Sequence, residues 1–276
     1  MCLLCDFKHS AWSARRGFLL AAGAAAAQPA LAQVEVDRGS TLRQLVPAAE
    51  LENASGQEYA KLLASARSQG ALAPANHPQL LRLRAIASRI IPFTRTWNDR
   101  AASWRWEVNL IGSKQINAFC MPGGKIAFYT GIIDQLRLTE SEEAMVMGHE
   151  MAHALREHAR ARIAKSQATS LGLSLGARLL GLGQLGDVAA NIGTQLLTLK
   201  FSREDETEAD LVGLELAARA GYQPEASVSL WEKMGRASAG AGGPGFLSTH
   251  PSGPERIRQL QANVPKVRSL YEQSRK

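Results

Sequence analysis

Hydrophobic positions recur with two different periods along this 276-residue chain, and the switches between them mark its elements. Ser55-Gly56-Gln57-Glu58 has the spacing of a capping box, in which a hydroxyl and a carboxylate three residues apart satisfy each other's backbone amides. It predicts a helix from there to about Gln69, while residues 33–54, poor in apolar positions, read as an extended lead-in. After a Pro/Ala/Asn stretch at 73–78, Leu80, Leu81, Leu83, Ile86, Ile90 and Ile91 return at helical intervals and predict a second helix over 78–91. The period then drops to two. Trp104, Trp106, Val108 and Leu110 alternate with Arg105, Glu107 and Asn109, as a half-buried strand requires. Residues 116–120 and 125–130 flank Met121-Pro122-Gly123-Gly124 and read as a hairpin.

Beyond the strands the pattern is helical again. Thr139-Glu140-Ser141-Glu142 repeats the capping-box spacing and opens a helix predicted to run over 140–165. Residues 168–199 are rich in glycine and leucine and carry only Arg178 and Asp187 as charges. Their uncharged runs fall short of the 18 or more residues a membrane span needs, so the segment reads as a helical hairpin over the neighbouring helices, with transmembrane insertion the competing reading. Ser202 caps a helix ended by Gly221, and Pro224 opens another to about Arg236. A glycine-rich loop at 239–245 precedes Thr249-His250-Pro251 and a last helix with Ile257 and Leu260 on one side. Three short strands between helices, with no internal repeat, define an α+β, mainly helical class and a single domain over 55–276.

The first 32 residues stand apart. A basic region with Arg15-Arg16, a short apolar run over 17–27 and the small-x-small triplet Ala30-Leu31-Ala32 read as an export signal cleaved after about Ala32. The arginine pair before Gly17-Phe18-Leu19 resembles a twin-arginine signal, an ordinary secretory signal being the other reading. Either route implies the bacterial periplasm. Cys2 and Cys5 leave with the signal, so Cys120 alone remains and no intramolecular disulfide can form; it reads as a buried apolar thiol. Lysine and arginine exceed aspartate and glutamate by 32 to 25, and without Lys8, Arg15, Arg16 and Asp6 the excess is 29 − 24 = 5. Such modest basicity suits solubility or peripheral contact with an anionic membrane. No basic stripe interleaves with aromatics, which excludes nucleic acid as the expected partner.

The chemistry concentrates in His149-Glu150-Met151-Ala152-His153. Residues four apart share a helix face, so two imidazoles can reach one ion while Glu150 leans toward a water that the ion holds. Such a carboxylate takes the water's proton as it attacks a carbonyl. One known arrangement completes the site with glycine three and histidine six residues after the second histidine, but Arg156 and Ala159 occupy those positions. A carboxylate from a later helix is then needed. Glu206 and Asp210 share a face one turn apart, so Glu206 can bind zinc while Asp210 accepts the outer N–H of a ligand histidine. Glu204, Asp205 and Glu208 read as surface charge, His158 as a surface residue facing away, and His77 as a helix-start residue.

Ser202-Arg203-Glu204-Asp205-Glu206-Thr207-Glu208-Ala209-Asp210 resembles the S-R-x-x-E-x-x-A-D segment of the zinc peptidase family that includes HtpX and the CAAX prenyl endopeptidases. Asn117-Ala118-Phe119, Pro122-Gly123-Gly124, Gly148 before the first histidine, and Thr249-His250-Pro251 followed by Arg256 fit the same pattern, over roughly 77–262. The resemblance implies a minigluzincin-like fold, one Zn2+ per chain and endopeptidase activity. It further implies that Asn117, Ala118 and Phe119 form an edge strand pairing with extended substrate. His250 would lie near the cleft, as an oxyanion donor or as zinc's fourth ligand in a resting enzyme. Without evident membrane spans, the chain is similar to the soluble envelope branch engaged in quality control. The expected function is cleavage of unfolded or mislocalised envelope proteins. A zinc-bound chaperone or assembly factor that grips strands without cutting is the alternative, and has no use for Glu150.

Overall fold

The computed structural model describes residues 34–37, 39–166, 169, 196, 199–238, 246–250 and 253–275. The export signal expected at 1–32, nearly all of the Gly/Leu-rich segment 168–199 and the loop 239–245 lie outside the described residues. The described residues beyond Ala32 belong to one compact unit. In chain order its elements are α1 (Ala48–Ser68), α2 (Pro78–Ile90), β1 (Glu107–Ile111), β2 (Ala118–Met121), β3 (Lys125–Tyr129), α3 (Thr130–Leu136), α4 (Glu140–Leu155), α5 (Arg203–Arg219), α6 (Ala226–Ser238), α7 (Phe246–Thr249) and α8 (Pro254–Gln273).

The sheet has strand order β1-β3-β2, with β1 parallel and β2 antiparallel to β3. The turn between β2 and β3 uses Gly123 and Gly124, both at positive φ (84° and 77°). A Cβ on Gly124 would stand 2.7 Å from the Trp106 ring, so glycine is needed there for space as well as for conformation. β1 is covered along its far side by residues 71–73, through the Leu72–Ile111 bridge and the bond from Ala73 N–H to the Leu110 carbonyl. β2 is the other edge strand. Leu83, Ile86 and Ile90 of α2, Leu110, Ile126 and Phe128 of the sheet, and Met147 and Met151 of α4 join one core, so α4 is buried on all sides.

Three expectations change. The lead-in is not extended to residue 54: Thr41–Leu45 forms a 3-10 turn and α1 starts at Ala48, behind Pro47. Ser55 is therefore inside α1, where its hydroxyl donates to the Leu51 carbonyl (2.7 Å) instead of capping. The strand expected from Trp104 begins only at Glu107, because the indole N–H groups of Trp104 and Trp106 turn to Glu52 and to the Ala101 carbonyl. The helix expected over 140–165 breaks after Leu155, since Glu157 adopts φ 58° before helix resumes at 158. Among the described residues no helix is long and apolar enough to cross a membrane.

Candidate metal centre

The start of α4 is fixed by the expected box: Thr139 Oγ1 accepts from Glu142 N–H (3.3 Å) while the Glu142 carboxylate accepts from Thr139 N–H (2.8 Å). This sets the phase of the helix, so His149 and His153 emerge one turn apart with their Nε2 atoms 3.1 Å from each other. α5 crosses α4 at two glycines. A Cβ on Gly148 would meet the Gly213 carbonyl at 2.7 Å, and one on Gly213 would meet His149 N at 2.6 Å. Backbones in direct contact let the short Glu206 side chain reach both imidazoles, at 3.5 Å from His149 Nε2 and 3.4 Å from His153 Nε2. His250 Nδ1 stands 2.9 Å from Glu206 Oε1 and 3.3 Å from His149 Nε2.

One donor atom each from His149, His153, Glu206 and His250 lies within 4.8 Å of all the others, and all four residues are buried. Two nitrogens about 2.05 Å from one ion at a tetrahedral angle stand about 3.3 Å apart, so the observed nitrogen spacings suit a shared cation. The charge states of His153 and Glu206 suit it as well. Burial pushes the His153 imidazole well below its usual pKa, which keeps it neutral with a lone pair to give. Burial alone would raise Glu206, but the imidazoles of His153 and His250 beside it outweigh it and hold the carboxyl far below the ordinary carboxylate range. Burial opposes the charge on His250, and the nearby Glu150 and Glu206 outweigh it, raising its pKa.

Asp210 sits behind this group. Its Oδ1 accepts from His149 Nδ1 (3.1 Å) and from Trp231 Nε1 (3.1 Å). Arg256 grips it twice, Nε to Oδ2 and Nη2 to Oδ1, each at 2.7 Å. Burial would raise the Asp210 pKa, yet the Arg256 charge outweighs it and the group is lowered. With Nδ1–H given to Asp210, His149 turns an unprotonated Nε2 to the donor group. Arg256 also lies 2.6 Å from Glu206 Oε2 and stacks over the Trp231 ring at 3.5 Å.

Glu150 is buried beside the donors, its Oε1 3.6 Å from His250 Nε2. Among the described residues that oxygen has no hydrogen-bond partner. Burial raises the Glu150 pKa against the pull of His250 and His149. The cleft is lined on one side by Asn117, Ala118, Phe119, Cys120, Met121 and Pro122, and on the other by Glu150, His153, Phe201 and His250. β2 is thus its wall. Cys120 is the expected buried thiol, its pKa raised well above ordinary by burial.

The outer residues differ from expectation. His158 is not on the surface: the turn at Glu157 swings it back, buried, with Nδ1 2.9 Å from His153 Nδ1. Glu208 is not free surface charge, since it bonds His158 (3.3 Å) and Arg156 (2.9 Å). Asp205 closes the α5 capping box with Ser202 and pairs with Arg162 (2.7 Å). Trp231 and Gly213 carried no signal legible from motif spacing. Glu204 is exposed, as read.

An α+β fold with a histidine pair on a buried helix and a glutamate from a later helix defines the gluzincin class of zinc peptidases. The family model described as "Peptidase family M48" matches residues 77–264, and the chain belongs to that family. It is similar to mitochondrial metalloendopeptidase OMA1 of Schizosaccharomyces pombe, 36% identical over 203 residues, 73% of this chain and 58% of that protein. It is also similar to the metalloprotease LoiP of Escherichia coli, 28% identical over 202 residues, 70% of this chain and 74% of that one. The beta-barrel assembly-enhancing protease of Escherichia coli is 30% identical over 175 residues, 60% of this chain and 36% of that protein. The chain thus spans only 58% of the first of these relatives and about a third of the last.

Proposed function

We propose that the chain is a zinc-dependent endopeptidase that cleaves unfolded or mislocalised proteins of the bacterial envelope. The observation that carries the reading is the convergence of His149, His153 and Glu206 with Glu150 beside them, one of its carboxylate oxygens without a hydrogen bond among the described residues, on a cleft walled by an edge strand. His149, His153 and Glu206 would hold the metal. A bound zinc ion supplies Lewis acidity, polarising the scissile carbonyl and lowering the pKa of a bound water to about 7.

The chain's own groups do the rest. Glu150 takes the proton of the attacking water and later passes it to the leaving amine; a carboxyl whose proton affinity burial has raised is suited to both transfers. Substrate lies extended along Asn117, Ala118 and Phe119, where main-chain bonds to β2 select backbone over sequence. His250 stands in the donor group, where it would serve as the fourth ligand of a resting enzyme or as a donor to the developing oxyanion. Asp210 holds His149 in the tautomer that leaves Nε2 free. The envelope assignment rests on the Arg15-Arg16 signal and on likeness to a protease named for beta-barrel assembly, while the name of the yeast relative points to mitochondria.

Glu150→Gln keeps the size of the side chain and removes the base. It should leave one zinc per chain and lower the rate of casein cleavage at least 100-fold, as loss of a general base does. Casein cleavage at the unaltered rate would refute the role. Client binding by the unaltered protein with no new termini by mass spectrometry would favour the chaperone reading.

A further inference from the structure

The ligand histidines differ in what stands behind them. Asp210 backs His149, but no carboxylate bonds Nδ1 of His153 directly among the described residues. Another imidazole does: His158 Nδ1, 2.9 Å away. The opposite nitrogen of His158, Nε2, is 3.3 Å from Glu208 Oε2, and that same oxygen takes Arg156 Nε at 2.9 Å.

The direction of each bond follows from one end. A carboxylate paired with arginine can only accept, so the proton between Glu208 and His158 belongs to His158 Nε2. A neutral imidazole with its proton on Nε2 offers Nδ1 as an acceptor, so the proton between the rings belongs to His153 Nδ1. His153 Nε2 is then left with a lone pair, and it is the atom 3.1 Å from His149 Nε2 and 3.4 Å from Glu206 Oε1. From these contacts we infer that His158 and Glu208 are a positioning pair that fixes the tautomer and ring orientation of His153 for metal binding. The inference rests on the reading of His153 as a ligand.

Three features support the pair. His158 is buried, and a buried imidazole with both nitrogens engaged is a costly thing to keep without use. It reaches His153 only because Glu157 adopts φ 58°, a left-handed conformation disfavoured for a residue with a Cβ and held here by ion pairs to Arg43 (3.3 Å) and Arg160 (2.8 Å). In addition, Glu206, Glu208 and Asp210 all lie in the first turns of α5, so one helix would supply the third ligand and the far support of both histidines. The Phe201 ring, stacked on His153 at 4.0 Å, holds the plane in which the bond to His158 is made.

The test is zinc affinity of the purified protein by competition with a chromogenic chelator, read beside the visible spectrum of the cobalt-substituted form and the melting temperature of the metal-free form. His158→Leu removes the acceptor and should weaken zinc 10- to 100-fold, the usual effect of losing a partner behind a ligand histidine, and shift the cobalt bands. His158→Asn places an amide oxygen close to the position of Nδ1 and should stay within about threefold of the unaltered protein. Glu208→Leu, away from the core, should weaken zinc at least about threefold and decides the matter if His158→Leu fails to fold. Unchanged affinity in folded His158→Leu or in Glu208→Leu, or equal losses in His158→Leu and His158→Asn, would overturn the inference. His153→Ala separates the two levels: loss of zinc there with none in the other variants sinks the pair alone, whereas full zinc retention sinks the ligand reading with it.

Discussion

Arg256 lies between two buried carboxylates, within 2.7 Å of both Asp210 and Glu206, and is itself 7% exposed. Removing a buried countercharge costs about 3–5 kcal/mol because the groups left behind stay charged and dry. Arg256→Met should therefore destabilise the metal-free protein by about 3 kcal/mol in denaturant unfolding. Zinc should restore part of that loss, since a cation at Glu206 replaces the positive charge removed there; equal losses with and without zinc would contradict this. At the same scale, the spacing of His149, Glu150, His153, Glu206 and Asp210 was legible from sequence because a continuous helix converts spacing into direction. His158 was misread for the same reason, and with it the Glu208 that bonds it. Direction was extrapolated through Glu157, where neither glycine nor asparagine announces the positive φ.

At the scale of elements, the site depends on how closely α4 and α5 approach at Gly148 and Gly213. Alanine in place of a helical glycine ordinarily stabilises by up to about 1 kcal/mol. At Gly213 the sign should reverse, because the added methyl meets His149 N at 2.6 Å. Gly213→Ala should cost about 1–3 kcal/mol and weaken zinc by pushing Glu206 away. Gly235→Ala, where an added methyl meets nothing within 4 Å, should be neutral or stabilising. Chemical denaturation of both variants checks the contrast; a stabilised Gly213→Ala would show that the helices can part freely. The helices and the hairpin were readable from caps and periodicity. Less readable were the parallel pairing of β1 with β3, which is a long-range choice, the start of β1, the end of α4 and the start of α1. There Ser55 and Glu58 imitate a cap, while Pro47 and Glu50 mark the start more truly.

Across the whole molecule, the core places a buried catalytic-type helix against a small sheet whose edge strand lines the cleft, and the charged groups of the site are paired from behind by Arg256 and Arg156. The layout matches a family whose members named above are metalloendopeptidases or metalloproteases. It makes one demand: a single cation at the meeting point of α4 and α5. The most direct test is an anomalous diffraction map of the zinc-soaked protein, collected on both sides of the zinc edge. One peak is predicted, about 2.0–2.2 Å from His149 Nε2, His153 Nε2 and a Glu206 oxygen. No peak there, or a sole peak bound by other residues, would contradict the account.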